Sequence, residues 1–247
     1  MSCMSGHSKW STIKRQKGTA DIKRGQAFTK LANVITIVVK AGGSGDPGTN
    51  PRLRTVLEEA KALNMPKDNI QRAIDRGMGI GKEALEEVVY EGFGPGTVAF
   101  YLEGITDNKL RTLQEVKNLF ERSGGSLGGS GSTAYMFEKK GEIKIKSQRV
   151  KESKSQEEDM LALIDLGVDD VEEEIQHYLV YVESPELNTM STKITQAGFE
   201  VESAEIIMKP SILQKIDDPE TIKKVIEFIE KLEDNPDIQK IYDNFGD

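Results

Sequence analysis

One cysteine, Cys3, and two histidines, His7 and His177, are all the thiol and imidazole ligands the chain offers. A lone thiol forms no intrachain disulfide. Two histidines far apart, with no HExxH, CxxC or EF-hand pattern around them, give no metal-ligand spacing. The sequence therefore points to neither a metal nor a cofactor. Long apolar runs are missing as well. The longest, Val34 to Val39, is interrupted by Thr36, well short of the ~20 residues that span a bilayer, so no membrane partner is expected. The opening MSCMSGHSKW has neither an apolar signal core nor an Arg/Ser-rich presequence, which sets the expectation of a cytoplasmic protein in a reducing compartment.

Catalytic signatures are equally scarce. No GxSxG elbow occurs, and GSGST at 129–133 sets its serine one place off. The glycine-rich stretches GGSGDPGTNP and GGSLGGSGS lack the Gly-Lys-Ser/Thr of a phosphate loop. GFGPG at 92–96 lacks the third glycine of a dinucleotide fingerprint. All three read as turns that need positive φ. The acidic runs Glu157-Glu158-Asp159 and Glu172-Glu173-Glu174 read as solvated faces, because acid–base catalysis needs an isolated, buried carboxyl. No enzyme is expected.

What the chain does have is a split charge. The net is −8 over 247 residues. Residues 1–82 hold 15 Lys/Arg against 6 Asp/Glu, a net of +9, and the remainder holds 18 against 35, a net of −17. One end suits polyanions and the other repels them. Residues 5–26 carry Lys9, Lys14, Arg15, Lys17, Lys23 and Arg24 with only Asp21 as an acid and few apolar residues. Such a segment buries little surface and reads as a mobile arm. Trp10, the only tryptophan, either stacks on a base or anchors this arm.

From Ala27 the apolar period becomes helical, with Phe28, Leu31, Ile35, Val38 and Val39 on one stripe and Gly42-Gly43 as the stop. Asn50-Pro51 opens a second helix with Leu53, Val56, Leu57 and Ala60 inward. Met65-Pro66 opens a third, closed by Gly77. Three short helices make a small helical module. Arg52 and Arg54 in the first turn of the second helix, and Lys67 in the first turn of the third, aim at phosphates. The candidate nucleic-acid interface is His7, Lys9, Trp10, Lys14, Arg15, Lys17, Lys23, Arg24, Lys30, Arg52, Arg54, Lys67, Arg72 and Arg76. It requires these cations to gather on one exposed face, apart from the anionic remainder.

Beyond Gly81 strands and helices interleave without a βαβαβ rhythm. Strands are expected over Val88–Glu91, Thr97–Glu103, Ala134–Phe137, Glu142–Lys146, Tyr178–Val182, Glu200–Met208 and Ile238–Tyr242, with a turn at Lys140-Gly141. Helices are expected over Leu110–Arg122, Gln156–Leu166, Leu187–Ala197 and Pro219–Leu232. This favours mostly antiparallel α+β sheets with helices on one face, of the split-βαβ, ferredoxin-like kind.

The segments SGHSKWSTIK, DIKRGQAFTKL, AGGSGDPGTNPRLR, MPKDNIQRAI, YEGFGPG, TDNKLRT, GGSLGGSGS, FEKKG and LEDNPDIQKIY, in this order, closely resemble the YebC family of probable transcriptional regulators. That family includes the mitochondrial translational activator of cytochrome c oxidase subunit I. The resemblance implies a multidomain fold: a basic arm and helical module over 1–78, an α/β domain from 79–136 with 209–247, and an inserted acidic α/β domain over 137–208. The implied insert holds 8 basic and 17 acidic residues. Two departures stand out. MSC precedes the family-like start at Met4, and Thr133 occupies a place where the family commonly has valine. The resemblance implies nucleic-acid-binding regulation, by promoter DNA in transcription first. The alternative is a ribosome- and rRNA-associated role that relieves stalled translation. The long, unspecialised arm by itself leans toward RNA, and a protein-gripping acidic scaffold is a third reading.

Overall fold

The computed structural model describes residues 20–80, 85–146, 156–174 and 177–246, with the side chains of 20–23 and 156–157 outside the description. The chain divides into two compact units. One runs over Ala134–Lys215 and takes in the C-terminal residues from Tyr242. The other holds the described residues up to Thr133 together with Ile216–Ile241.

The second of these begins with helix α1, Ala20–Gly42. Helix α2, Pro51–Ala62, and helix α3, Lys67–Gly77, pack against it. Leu31, Ile35, Val38, Val39, Leu53, Ala60, Met65 and Ala73 form their common core. The apolar stripes read from the sequence are the ones buried here. The start of α1 differs from the expectation: residues 20–26, expected as part of an arm, are helical. Ala, Lys, Arg and Gln are good helix formers, and a helix already nucleated by its packed part extends over them at little cost. Arg24 lies 5.8 Å from the Phe28 ring centroid, across one turn of the extension.

Asn50 ties the module together. Its side chain accepts from the Leu53 N–H at 3.1 Å, capping α2. Its amide nitrogen donates at 3.2 Å to the Val38 and Ser44 carbonyls. At Gly77, a Cβ would stand 2.7 Å from the Thr36 carbonyl oxygen and 2.6 Å from Val39 Cβ. Glycine there lets α3 close onto α1. The Thr36 hydroxyl crosses the same contact to donate to the Ala73 carbonyl at 3.0 Å.

The same unit carries a sheet of strands β1, Glu86–Phe93, β2, Ala99–Thr106, β3, Ser126–Leu127, and β9, Ile238–Asp243, in the order β3-β1-β2-β9. Helices α4, Lys109–Arg122, and α7, Pro219–Glu233, pack on it. Phe100, Phe120 and Phe228 meet edge-on with centroids 4.8 to 6.1 Å apart, an arrangement that favours aromatic pairs. Asp237 fixes the start of β9. It accepts from Thr112 at 2.6 Å, Arg111 at 2.7 Å and Thr106 at 3.1 Å.

The other unit contains β4, Phe137–Lys146, α5, Gln156–Asp165, β5, Asp170–Glu173, β6, His177–Glu183, α6, Leu187–Gln196, and β7, Glu200–Pro210. The sheet order is β5-β6-β4-β7 with every pair antiparallel, the split-βαβ arrangement expected. Ile143, Ile145, Val180 and Val182 face Leu163, Leu187, Met190 and Ile194 in its core. A short parallel pair, β8 at Gln214–Lys215 and β10 at Phe245–Gly246, completes the unit.

Three local readings are corrected. Residues 134–136 form a 3₁₀ turn, and the strand begins only at Phe137. The turn expected at Lys140-Gly141 is mid-strand. A Cβ on Gly141 would come within 2.9 Å of Leu187 Cδ1, so this glycine serves the close approach of α6 to the sheet. Strand β5 falls on acids read only as a solvated run; it is one of the two edge strands of its sheet.

Candidate nucleic-acid interface

His7, Lys9, Trp10, Lys14, Arg15 and Lys17 lie outside the described residues. Lys23 stands in α1, with its side chain outside the description. The remaining candidates fall on α1, α2 and α3.

Two of them have internal work. The Lys30 ammonium donates to the Glu233 carbonyl at 2.8 Å, at the C-terminal end of α7, where a cation complements the helix dipole. Arg54 donates through Nε and Nη2 to the Pro47 carbonyl at 3.2 and 3.1 Å, and through Nη2 to the Gly48 carbonyl at 3.5 Å. It thereby pins the loop between α1 and α2. That loop is also braced from within: Asp46 accepts from the Gly48 N–H at 2.8 Å, and the Ser44 and Thr49 hydroxyls bond at 2.7 Å.

Arg24, Arg52, Lys67, Arg72 and Arg76 are exposed. Among the described residues, none of the five pairs with a carboxylate. Arg72 bonds within its own helix, to the Asp68 carbonyl at 3.2 Å and to the Asn69 side chain. Gln71 donates to Asp75 at 2.8 Å. Each amide side chain of α3 thus has one polar atom engaged within the helix, Oδ1 of Asn69 and Nε2 of Gln71, and a bidentate contact to adenine would need both. Sequence reasoning missed one cation, Lys61, which is exposed in the last turn of α2. A basic residue there reads as a partner for the helix dipole, so composition gave no separate signal.

The cations do not share one flank. Nine residues separate Arg52 from Lys61, and Lys67 from Arg76. That is about two and a half turns, so each pair straddles its helix's buried stripe. The expected single cationic face is replaced by charges spread around the exposed perimeter of the module.

In the acidic sheet, four lysines of β4 and β7 face carboxylates. Lys140 lies 2.6 Å from Glu183 and 3.0 Å from Asp169, and these carboxylates, Glu183 foremost, hold it above the ordinary lysine range. Lys209 lies 2.7 Å from Asp170 and 3.2 Å from Glu172, over the Tyr181 ring. Lys144 and Lys146 approach Glu202 and Glu200 at 3.8 and 3.7 Å. Glu142, between Tyr181 and Glu205 in the register, is pushed up to about 7 by burial and then by Glu205.

The loop GGSLGGSGS is filled from inside. Buried Glu91 accepts from the Gly131 N–H at 2.7 Å and the Thr133 N–H at 2.8 Å, while its carbonyl accepts from Gly128 at 2.7 Å. An internal carboxylate occupies the backbone donors that an external phosphate would need. The Thr133 hydroxyl is fully buried and donates to the Phe100 carbonyl at 2.9 Å, which satisfies the group that valine would lack. No cluster of metal-ligating side chains occurs among the described residues, and no described helix is long and apolar enough to cross a membrane.

The model of the TACO1/YebC N-terminal domain matches residues 8–80, and that of the TACO1/YebC second and third domain matches residues 85–245. The chain belongs to the TACO1/YebC family. A relative from Rubrobacter xylanophilus is 45% identical over 244 residues, covering 98% of this chain and 95% of its own. One from Chloroflexus aurantiacus is 48% identical over 242 residues with the same coverage. Both are named "Probable transcriptional regulatory protein". The crystal structure of a conserved hypothetical protein from Aquifex aeolicus superposes with a TM-score of 0.79 at 39% identity, covering 93% of each chain. The Aquifex chain therefore shares this fold, and relatives of this chain are named probable transcriptional regulators.

Proposed function

We propose that this chain is a non-enzymatic regulator of gene expression that binds nucleic acid through the cations of its helical module and of the basic residues that precede it. The observation that carries the reading is the concentration of unneutralised cations in the net-basic third of the chain. Arg52, Lys61, Lys67 and Arg76 are exposed without a carboxylate partner among the described residues, whereas Lys140 and Lys209 are each bracketed by two acids. Unpaired cations attract a polyanion and release its counterions, and the acidic unit faces the same polyanion with net repulsion. The relatives' names favour promoter DNA as the partner. The test is retention of the full chain on a promoter duplex from its own genome against a random duplex at physiological salt. Preferential retention supports transcriptional regulation, and equal retention counts against it.

A second reading is a ribosome-associated translation factor. It is favoured by the partly engaged amides Asn69 and Gln71 of α3, which leave little direct base readout and suit structured RNA, recognised by shape and phosphates. Co-sedimentation with ribosomes at low salt, released at high salt, supports it. A free-protein peak under both conditions discards it.

A further inference from the structure

Seven cations of the module fall into two sets by what their N–H groups already do. Lys30 donates to the Glu233 carbonyl, Lys40 to the Leu85 carbonyl at 3.1 Å, and Arg54 to the carbonyls of Pro47 and Gly48. Arg52, Lys61, Lys67 and Arg76 make no such bond among the described residues. We infer that Arg52, Lys61, Lys67 and Arg76 are the contacts to phosphate oxygens, and that Lys30, Lys40 and Arg54 hold the module's architecture without touching the ligand. This rests on the nucleic-acid reading above and names the group recognised, the phosphate backbone rather than the base edges.

The two sets differ in what a phosphate would have to displace. A donor already bonded to a backbone carbonyl must surrender that bond to reach a phosphate, and the orphaned carbonyl subtracts from the gain. A solvated cation gives up only water and gains a charge-assisted bond. The four mark the two ends of the α2–α3 pair rather than one flank. Lys61 and Lys67 flank the α2–α3 connection, which is held tight by Asn64 N–H to the Lys61 carbonyl at 2.9 Å and Met65 N–H to the Ala60 carbonyl at 2.9 Å. Asn64 takes a φ of 57°, the left-handed turn that closes this connection. Arg52 and Arg76 stand at the far ends of the same two helices. Point charges at the ends of two helices contact a backbone without imposing register on the bases.

The experiment uses the full chain and two probes of mixed sequence, a DNA duplex and an RNA hairpin. Affinity is measured by fluorescence anisotropy between about 50 and about 200 mM salt. Arg52→Gln, Lys61→Gln, Lys67→Gln and Arg76→Gln are each expected to lower the log–log salt slope on the duplex by about 0.9, the value of one phosphate contact. Arg54→Gln and Lys30→Gln are expected to leave the slope unchanged and lower the melting temperature. The charge-conserving Arg52→Lys and Lys67→Arg are expected to keep the wild-type slope, which separates lost contacts from lost folding. Unchanged slopes in the first four, or an equal drop for Arg54→Gln and Lys30→Gln, overturn this assignment while binding itself stands. Absence of wild-type binding to both probes overturns the nucleic-acid reading instead.

Discussion

The ammonium of Lys30 caps the carbonyl of Glu233 at 2.8 Å. A cation of the basic module thus serves the C-terminal end of α7, 203 residues away. Gln26 reaches the next residue, Asp234, at 3.5 Å. Helix α1 is thereby fastened to the helix that precedes β9. Lys30→Met should cost about 1 kcal/mol, the net value of one such bond. A chemical denaturation curve with an unchanged slope and a lower midpoint is the expected record; an unchanged midpoint would remove this role.

Glu91 does for the glycine-rich loop what a bound anion does elsewhere. Its carboxylate is buried and satisfies two backbone N–H groups of the loop. Glu91→Ala should cost at least 2 to 3 kcal/mol, roughly the penalty for orphaned buried donors, and should speed amide exchange at Gly131 and Thr133. Thr133→Val, which keeps the side chain's shape and removes its hydroxyl, should cost about 1 kcal/mol through the lost bond to the Phe100 carbonyl. Equal stability of the two proteins in urea would show that the hydroxyl is neutral.

Asp243 is buried, accepts from the Phe245 N–H at 3.0 Å, and is pushed up to about 7 by desolvation. An unfolded aspartate ionises near ~3.9. Between about pH 4 and about pH 7 the folded chain therefore holds a proton that the unfolded chain has released, and stability falls as pH rises through that window. The fall is about 1.4 kcal/mol per unit for one group. Asp243→Asn keeps the acceptor and removes this slope, so the variant should gain stability over the wild type at about pH 8 and not at about pH 4. Glu142 shifts in the same direction, so part of the slope should persist in the variant. Identical pH profiles would contradict the assignment.

Asn50 joins a cap to a cross-helix bond, since it serves both Leu53 and Val38. Asn50→Ala should cost about 1 to 2 kcal/mol from the cap, with a further loss from the orphaned Val38 carbonyl. Asn50→Asp keeps the cap but sets a carboxylate oxygen about where the amide nitrogen met the Val38 and Ser44 carbonyls, at 3.2 Å, so it should also melt below the wild type.

Periodicity carried most of the fold because burial follows it directly. Leu53, Val56, Leu57 and Ala60 were legible as one stripe, and Asn50-Pro51 as a cap, since both signals are local. The split-βαβ pattern was legible from the alternation of segments. Three places were not. Gly141 looked like a turn residue, and only the nearness of Leu187 explains it as a strand residue. The acids of β5 hide an edge strand, because an edge needs one buried side at most. The chemistry of Lys30 and Arg54 was not legible at all: composition marks a cation, but only tertiary contact says whether its donors are already engaged. The same limit hid Lys61.

The central claim is that polyanion contact belongs to the basic N-terminal third and not to the acidic remainder. The most direct test is ultraviolet crosslinking of the full chain to the nucleic acid it retains in its own cells, followed by mapping of the crosslinked peptides. Crosslinks are expected within residues 1–80, with peptides bearing Arg52, Lys61, Lys67 or Arg76 among them. Crosslinks concentrated in residues 137–208, where acids outnumber bases 17 to 8, would contradict it.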